Sequence, residues 1–341
     1  MPNNSTKILF LMTLFSGMLI SLCANSWFGV WMGLEINLLS FIPLISTSNN
    51  SLSTEASLKY FLIQTISSSS LLFMIFMKTN MYEMFYLTKN SMWNEMMILP
   101  MLMKMAAAPL HWWLPSVMEG LSWTNCFLIL SVQKIAPLIL IAYLMKNSIF
   151  MQTIIMMSAI TGALGGFNQT SLRKILAFSS INHISWMLIG TMMSMSLWLL
   201  YFTIYMINIL TIIMMMSNTN SIFISQKFST MNYNKIVKLM LNLSLLSLGG
   251  MPPLLGFLPK WILIQFMIQN MMIYLSVILI ASSLMTLFYY LRIMYSTLMI
   301  SNSETMWMLL TKVKKNQKKT LTSMTILLMG MLICNILIYF L

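Results

Sequence analysis

The chain is 341 residues long, 59% hydrophobic and only 7% charged, a composition that water-soluble domains of this size do not show. That excludes soluble enzymes, disordered tails and secreted disulfide scaffolds, and the long continuous apolar runs exclude an outer-membrane barrel, whose segments alternate over about 10 residues. The 19 Lys and Arg against 6 acidic residues, all Glu, are thinly spread between apolar runs, as orienting loop charges are, and not gathered into a nucleic-acid patch.

A helical span needs about 20 apolar residues. Read by that length, the runs fall at 8–24, 26–46, 56–77, 96–114, 121–145, 149–167, 175–193, 197–216, 236–268, 271–299 and 321–341. The expectation is an all-α, polytopic transmembrane bundle of 11 helices forming a single domain over 1–341. Most connections are short and polar; the longest, 217–235 and 301–320, carry most of the loop lysines. The N-terminus lacks a cleavage pattern, so Met1 onward is read as mature sequence.

An odd number of spans puts the termini on opposite sides, and the basic residues sort unequally between them. Lys7, Arg173, Lys174, Lys227, Lys235, Lys238, Lys312, Lys314, Lys315, Lys318 and Lys319 fall on the N-terminal side, against Lys78, Lys89 and Lys146 opposite. The positive-inside rule therefore places the N-terminus inside. Of the basic residues within spans, Lys59 follows Glu55 by four positions, a favourable pair near a membrane surface, and Arg292 is close enough to a helix end to snorkel.

Glu35, Lys104, Lys134 and Lys260 lie deep in their spans, where a central Lys costs about 2.5–3.5 kcal/mol on the lenient scale. One carboxylate cannot neutralise three ammonium groups, so at least one amine must spend time uncharged, and an uncharged amine accepts a proton. A static ion pair would account for Glu35 with Lys104 but leaves Lys134 and Lys260 unexplained. Two spans are also interrupted beside these lysines. Lys104 is followed by Ala106-Ala107-Ala108-Pro109, and the ninth span contains Gly249, Gly250, Pro252, Pro253 and Pro259 just before Lys260. Proline removes a backbone donor and disrupts the preceding turn. Freed backbone groups at membrane depth need protein or water around them, so each break predicts a hydrated cavity next to its lysine.

His111 and His183 are the only histidines, and either could bridge lysines or be a hydrogen-bonded core residue. His183 lies mid-span with Ser179, Ser180 and Asn182 nearby to hold water. Neither has a carboxylate close in sequence, and Cys23, Cys126 and Cys334 are isolated, so no metal or iron–sulfur site is expected on this chain. The many methionines and phenylalanines read as packing and lipid-facing surface.

The stretches from Ser26 to Ser40 and from Gly165 to His183, together with the Gly-Gly-Met-Pro-Pro run at 249–253, closely resemble the antiporter-like membrane subunits of respiratory complex I, specifically the mitochondrial subunit 2 family as found in insects. The likeness covers nearly the whole chain and is weakest in the two long loops and at the C-terminus. Animal versions of that family lack the leading helices, which agrees with the 11 counted. The resemblance implies that Glu35 pairs with Lys104, that Lys134 follows, and that Lys260 completes the series on the broken helix. It further implies a proton-translocating subunit of NADH:ubiquinone oxidoreductase in the mitochondrial inner membrane, N-terminus on the matrix side and C-terminus on the intermembrane-space side. FMN, iron–sulfur clusters, NADH and ubiquinone would belong to other subunits. Neighbouring antiporter-like and small membrane subunits, accessory subunits and phospholipid such as cardiolipin would be its partners. Ser185 departs from the family pattern, where Gly is frequent. A stand-alone cation/proton antiporter and a purely structural membrane subunit remain alternative readings of the same charges.

Overall fold

The computed structural model describes residues 4–46, 50–82, 90–145, 147–219, 221–224, 226, 235–299, 322, 325 and 330. The expected span at 321–341 lies outside the described residues, apart from those last three positions, as do Lys89, Lys146, Lys227, the lysines from Lys312 to Lys319, and Cys334.

The described chain is helical, with one isolated bridge between Ser171 and Phe223. In order the helices are α1 (Asn4–Cys23), α2 (Trp27–Ile45), α3 (Ser51–Tyr82), α4 (Asn90–Met105), α5 (Trp113–Gly120), α6 (Trp123–Leu130), α7 (Val132–Leu144), α8 (Ile149–Gly165), α9 (Leu172–Met193), α10 (Met195–Thr219), α11 (Lys235–Gly249), α12 (Phe257–Gln269) and α13 (Ile273–Met299). Seven stretches among them are long and apolar enough to cross a membrane, Trp123–Leu144 being one despite an internal break.

The helices form two compact units. The first holds residues 1–158 and 187–195, the second 159–186 and 196–341. In the first unit α1 packs on α2 and α7, α2 on α3, α3 on α4 and α5, and α4 on α7. The α1–α2 contact is made backbone to backbone. A Cβ added to Gly33 would come within 2.5 Å of the Ser21 nitrogen, so a larger residue would push the helices apart, as at small-residue crossings in membranes generally. Helix α2 buries Val30, Gly33, Leu34, Asn37, Leu38, Phe41 and Ile45, a stripe at helical spacing that leaves Glu35 beside its edge. In the second unit α13 packs on α11 and α12. Polar tethers pin its helices: Ser282 Oγ to Asn182 Oδ1 (3.3 Å), Ser247 Oγ to Asn208 Oδ1 (3.2 Å) and Asn242 Nδ2 to Thr297 Oγ1 (3.1 Å).

Three of the expected spans are broken, two of them at the interruptions the sequence predicts. The span expected over 96–114 stops at Met105 and resumes at Trp113; the one over 236–268 stops at Gly249 and resumes at Phe257. Both stops are built alike. Ala106 takes a left-handed conformation (φ 64°), its N–H bonding Met103 O (3.2 Å) and that of Ala107 bonding Leu102 O (3.0 Å). Gly250 (φ 83°) repeats this, its N–H bonding Ser247 O (3.1 Å) and that of Met251 bonding Leu246 O (3.3 Å). These are Schellman caps, which satisfy the last carbonyls of a helix. Prolines at 109, 252 and 253 then prevent the helix from resuming at once. Pro259 lies instead in the first turn of α12, where its missing N–H has no intrahelical partner to lose. The third break, at Ser131 between α6 and α7, was not foreseen. Ser131 has φ −120° and ψ −80°, and its hydroxyl donates to Phe127 O, the back-bonding by which a mid-helix Ser bends the backbone.

Candidate functional site: a buried amine series beside the helix breaks

Each buried lysine stands next to a break. Lys104 is in the last turn of α4, Lys134 in the first turn of α7, and Lys260 in the first turn of α12. Their exposures are 7%, 2% and 5%, so all three amines are held inside protein and not snorkelled to a surface.

In the first unit, Lys104 and Lys134 line one cavity together with Asn37, Tyr60, Gln64, Gln133 and Pro137. Measured as space for water centres it is about 20 Å³, enough for a water with several polar partners around it. Glu35 is half-buried and acts electrostatically on Lys104, yet the two do not close to an ion pair of 4.0 Å or less. The carboxylate therefore attracts the amine without locking it. The break supplies further polar edges. Gln64 Nε2 donates to Lys104 O (3.3 Å) and Trp113 Nε1 to Met103 O (3.0 Å), so the last-turn carbonyls of α4 are met by side chains. Pro137 provides no N–H for Gln133 O, so the helix lacks one backbone bond beside Lys134.

Sequence reasoning missed the amide pair across this cavity. Asn37 Nδ2 donates to Gln133 Oε1 (3.0 Å) and Gln133 Nε2 returns to Asn37 Oδ1 (3.1 Å), joining the helix of Glu35 to the helix of Lys134. A buried Asn two residues after Glu35 and a Gln just before Lys134 were the available signals. Asn37→Leu is expected to destabilise the protein by about 1–3 kcal/mol, because it strands the Gln133 amide. The measurement is the melting temperature of the purified protein, and adding Gln133→Leu should recover part of the loss, since removing both partners is cheaper than removing one.

In the second unit, Lys260 Nζ donates to Gly249 O (2.9 Å) and lies 5.9 Å from the centroid of the Trp186 ring. The amine thus caps the negative end of α11 while resting on an aromatic face, both favourable for a cation. His183 is buried, with Nδ1 2.7 Å from Tyr201 Oη and its ring 4.9 Å from that of Tyr205. His111 lies in the first break, Nδ1 3.3 Å from Pro109 O and stacked on Trp112; it does not line the cavity. The Glu55–Lys59 pair forms at 2.5 Å on an exposed face, where it contributes little, and Arg292 is exposed. No three His, Cys, Asp or Glu converge among the described residues.

Residues 24–286 match the family described as NADH:quinone oxidoreductase/Mrp antiporter, TM. The chain belongs to this family. A relative in Locusta migratoria is 45% identical over 318 residues, 93% of this chain and 92% of its own length, and one in Anopheles gambiae is 46% identical over 321 residues, 94% and 92%. Both are named NADH-ubiquinone oxidoreductase chain 2. Among solved structures, a chain of respiratory complex I from Thermus thermophilus superposes with a TM-score of 0.84 at 18% identity, covering 96% of this chain and 78% of that one. A chain of the Mrp complex from Dietzia sp. gives 0.71 at 16% identity, covering 86% and 61%. The chain thus shares its helical fold with membrane chains of both complexes.

Proposed function

We infer that this chain is a core membrane subunit of a proton-pumping NADH–ubiquinone oxidoreductase in the mitochondrial inner membrane, where it moves protons and performs no redox chemistry itself. The observation that carries the reading is the shared cavity of Lys104 and Lys134 beside a carboxylate that attracts Lys104 without pairing to it. Relatives at 45% and 46% identity that bear the name of that enzyme's chain 2 support the assignment of the whole.

The chemistry follows from the charges. While Glu35 is near, the Lys104 ammonium is stabilised; when charge on a neighbouring subunit draws Glu35 away, the amine is left in a low-dielectric site and gives up its proton. The loss of that charge beside the shared cavity redistributes the protons and drives the one held on Lys134 onward. Lys134 is loaded from the matrix side, and the onward steps use His183 and Lys260 before release to the intermembrane space. His111, whose Nδ1 meets a backbone carbonyl, holds the first break in shape, whereas His183 meets a hydroxyl and can relay. The N-terminus faces the matrix, as the excess of basic residues on that side requires. Neighbouring antiporter-like and small membrane subunits, accessory subunits and a phospholipid such as cardiolipin cover its apolar flanks, and FMN, iron–sulfur clusters, NADH and ubiquinone are bound by other subunits.

The test is the company the native protein keeps. Gently solubilised membranes should give a single particle in which this chain migrates with flavin and iron–sulfur absorbance. Migration alone, free of both, would mean a stand-alone cation/proton antiporter and would overturn the reading.

A further inference from the structure

The second unit contains buried hydroxyl groups that the relay of lysines does not use. Tyr205 on α10 is hydrogen-bonded to Ser180 on α9, one turn before His183. Tyr290 on α13 faces Ser179 and Tyr289, with the two tyrosine rings 4.8 Å apart at 65°. Tyr289 in turn lies on the turn that ends α8: a Cβ added to Gly166 would come within 2.6 Å of its ring, and Phe167 packs edge-on at 6.4 Å. Two residues beyond Gly166, Asn168 is exposed. Three helices thus line up hydroxyl groups from a polar turn to the imidazole, and Trp186, the platform for Lys260, follows one turn after His183.

Packing alone does not account for these groups. Tyr289 and Tyr290 have no exposed surface at all, and although Tyr290 is within reach of Ser179 and Tyr289, neither hydroxyl closes a hydrogen bond of ordinary geometry among the described residues. A buried polar group left unsatisfied costs about 1–3 kcal/mol, and Phe would fill the same space without that cost. Buried, unsatisfied polar groups beside one another are where internal water is held.

We propose that Tyr289, Tyr290 and Tyr205, with Ser179 and Ser180, form a hydroxyl file that carries protons between the polar turn after Gly165 and His183, giving the second unit its own proton input. The proposal rests on the proton-translocating reading above. Each step is a hop. A hydroxyl accepts a proton on its oxygen from the donor on the turn side and releases its own proton to the next oxygen, and the chain of donors then rotates back. No phenolate accumulates, no bond other than O–H breaks, and the last proton arrives on an imidazole nitrogen of His183.

The test uses the assembled complex in sealed membrane vesicles. Tyr290→Phe and Tyr289→Phe keep the rings and remove the hydroxyls. Each is expected to lower coupled NADH oxidation by about tenfold, the effect of a barrier raised by roughly one hydrogen bond, and to raise its solvent deuterium isotope effect, which a packing defect would not do. Phe288→Leu, on the exposed side of the same helix turn, should leave both readings unchanged. If either tyrosine variant fails to assemble, Ser179→Ala and Tyr205→Phe interrogate the same file from the other two helices. Normal turnover and a normal isotope effect in the assembled variants would overturn the file. Lys104→Ala, measured alongside, separates the two levels: if it impairs pumping while the hydroxyl variants do not, the file alone is wrong, and if it too pumps normally, the translocation reading falls with it.

Discussion

Lys104→Ala in an assembled complex should reduce proton-coupled turnover by about a hundredfold, the low end of what a positioned acid–base group contributes. The expectation follows from where the amine stands. It shares its cavity with Lys134, is buried to 7% exposure, and feels the Glu35 charge without an ion pair that would hold it. Removing the amine leaves Glu35 with nothing to control and Lys134 without the neighbouring charge that drives its proton onward. Were the charge merely a fastener between helices, its loss would appear as failed assembly, because a half-removed buried pair leaves an uncompensated charge. Lys104→Met separates the two effects, since it keeps the stem and its packing. The decisive measurement is the number of protons moved per NADH oxidised in assembled Lys104→Ala and Lys104→Met complexes. A normal ratio at normal turnover would refute the role given to this residue.

Much of this site could be read from the sequence because a charge in an apolar run is conspicuous. Lys104, Lys134 and Lys260 stood out by cost alone, and Gly-Gly-Met-Pro-Pro cannot continue a helix, so the break before Lys260 was visible without coordinates. Groups whose meaning depends on a partner far along the chain were not legible. Asn37 and Gln133 are 96 residues apart, and neither carries a local pattern that selects the other. Ser131 breaks its span with neither Gly nor Pro, through a hydroxyl bonded to its own backbone, and many helical Ser residues here make similar bonds without breaking anything, as Ser67 and Ser158 do. The buried tyrosines were invisible for a further reason: an aromatic in a membrane span reads as packing until its hydroxyl is found buried.

Gly250→Ala should disturb the second unit more than Ala106→Gly disturbs the first, although both change the left-handed residue of a Schellman cap. A left-handed conformation costs a residue with a Cβ about 1–2 kcal/mol, and Ala106 at φ 64° demonstrates that this fold tolerates that strain. Strain alone therefore predicts a symmetrical pair: a small loss for Gly250→Ala and a small gain, again about 1 kcal/mol, for Ala106→Gly. The surroundings break the symmetry. A Cβ on Gly250 would come within 3.0 Å of Lys260 Nζ and 3.1 Å of its Cδ, while the same amine is committed to Gly249 O at 2.9 Å and to the Trp186 face. The methyl group fits only if the end of the lysine shifts by a few tenths of an ångström, which disturbs its bond to the carbonyl that ends α11. Gly250→Ala is accordingly expected to assemble, to melt slightly lower, and to lose coupled turnover by about tenfold, the equivalent of roughly one charge-assisted hydrogen bond of 1.5 kcal/mol or more. Ala106→Gly should melt at or above the parent temperature with turnover unchanged. Parallel thermal melts and NADH-driven pumping on the two variants check this, and equal, small effects on turnover in both would mean that the position of the Lys260 amine does not matter to transport.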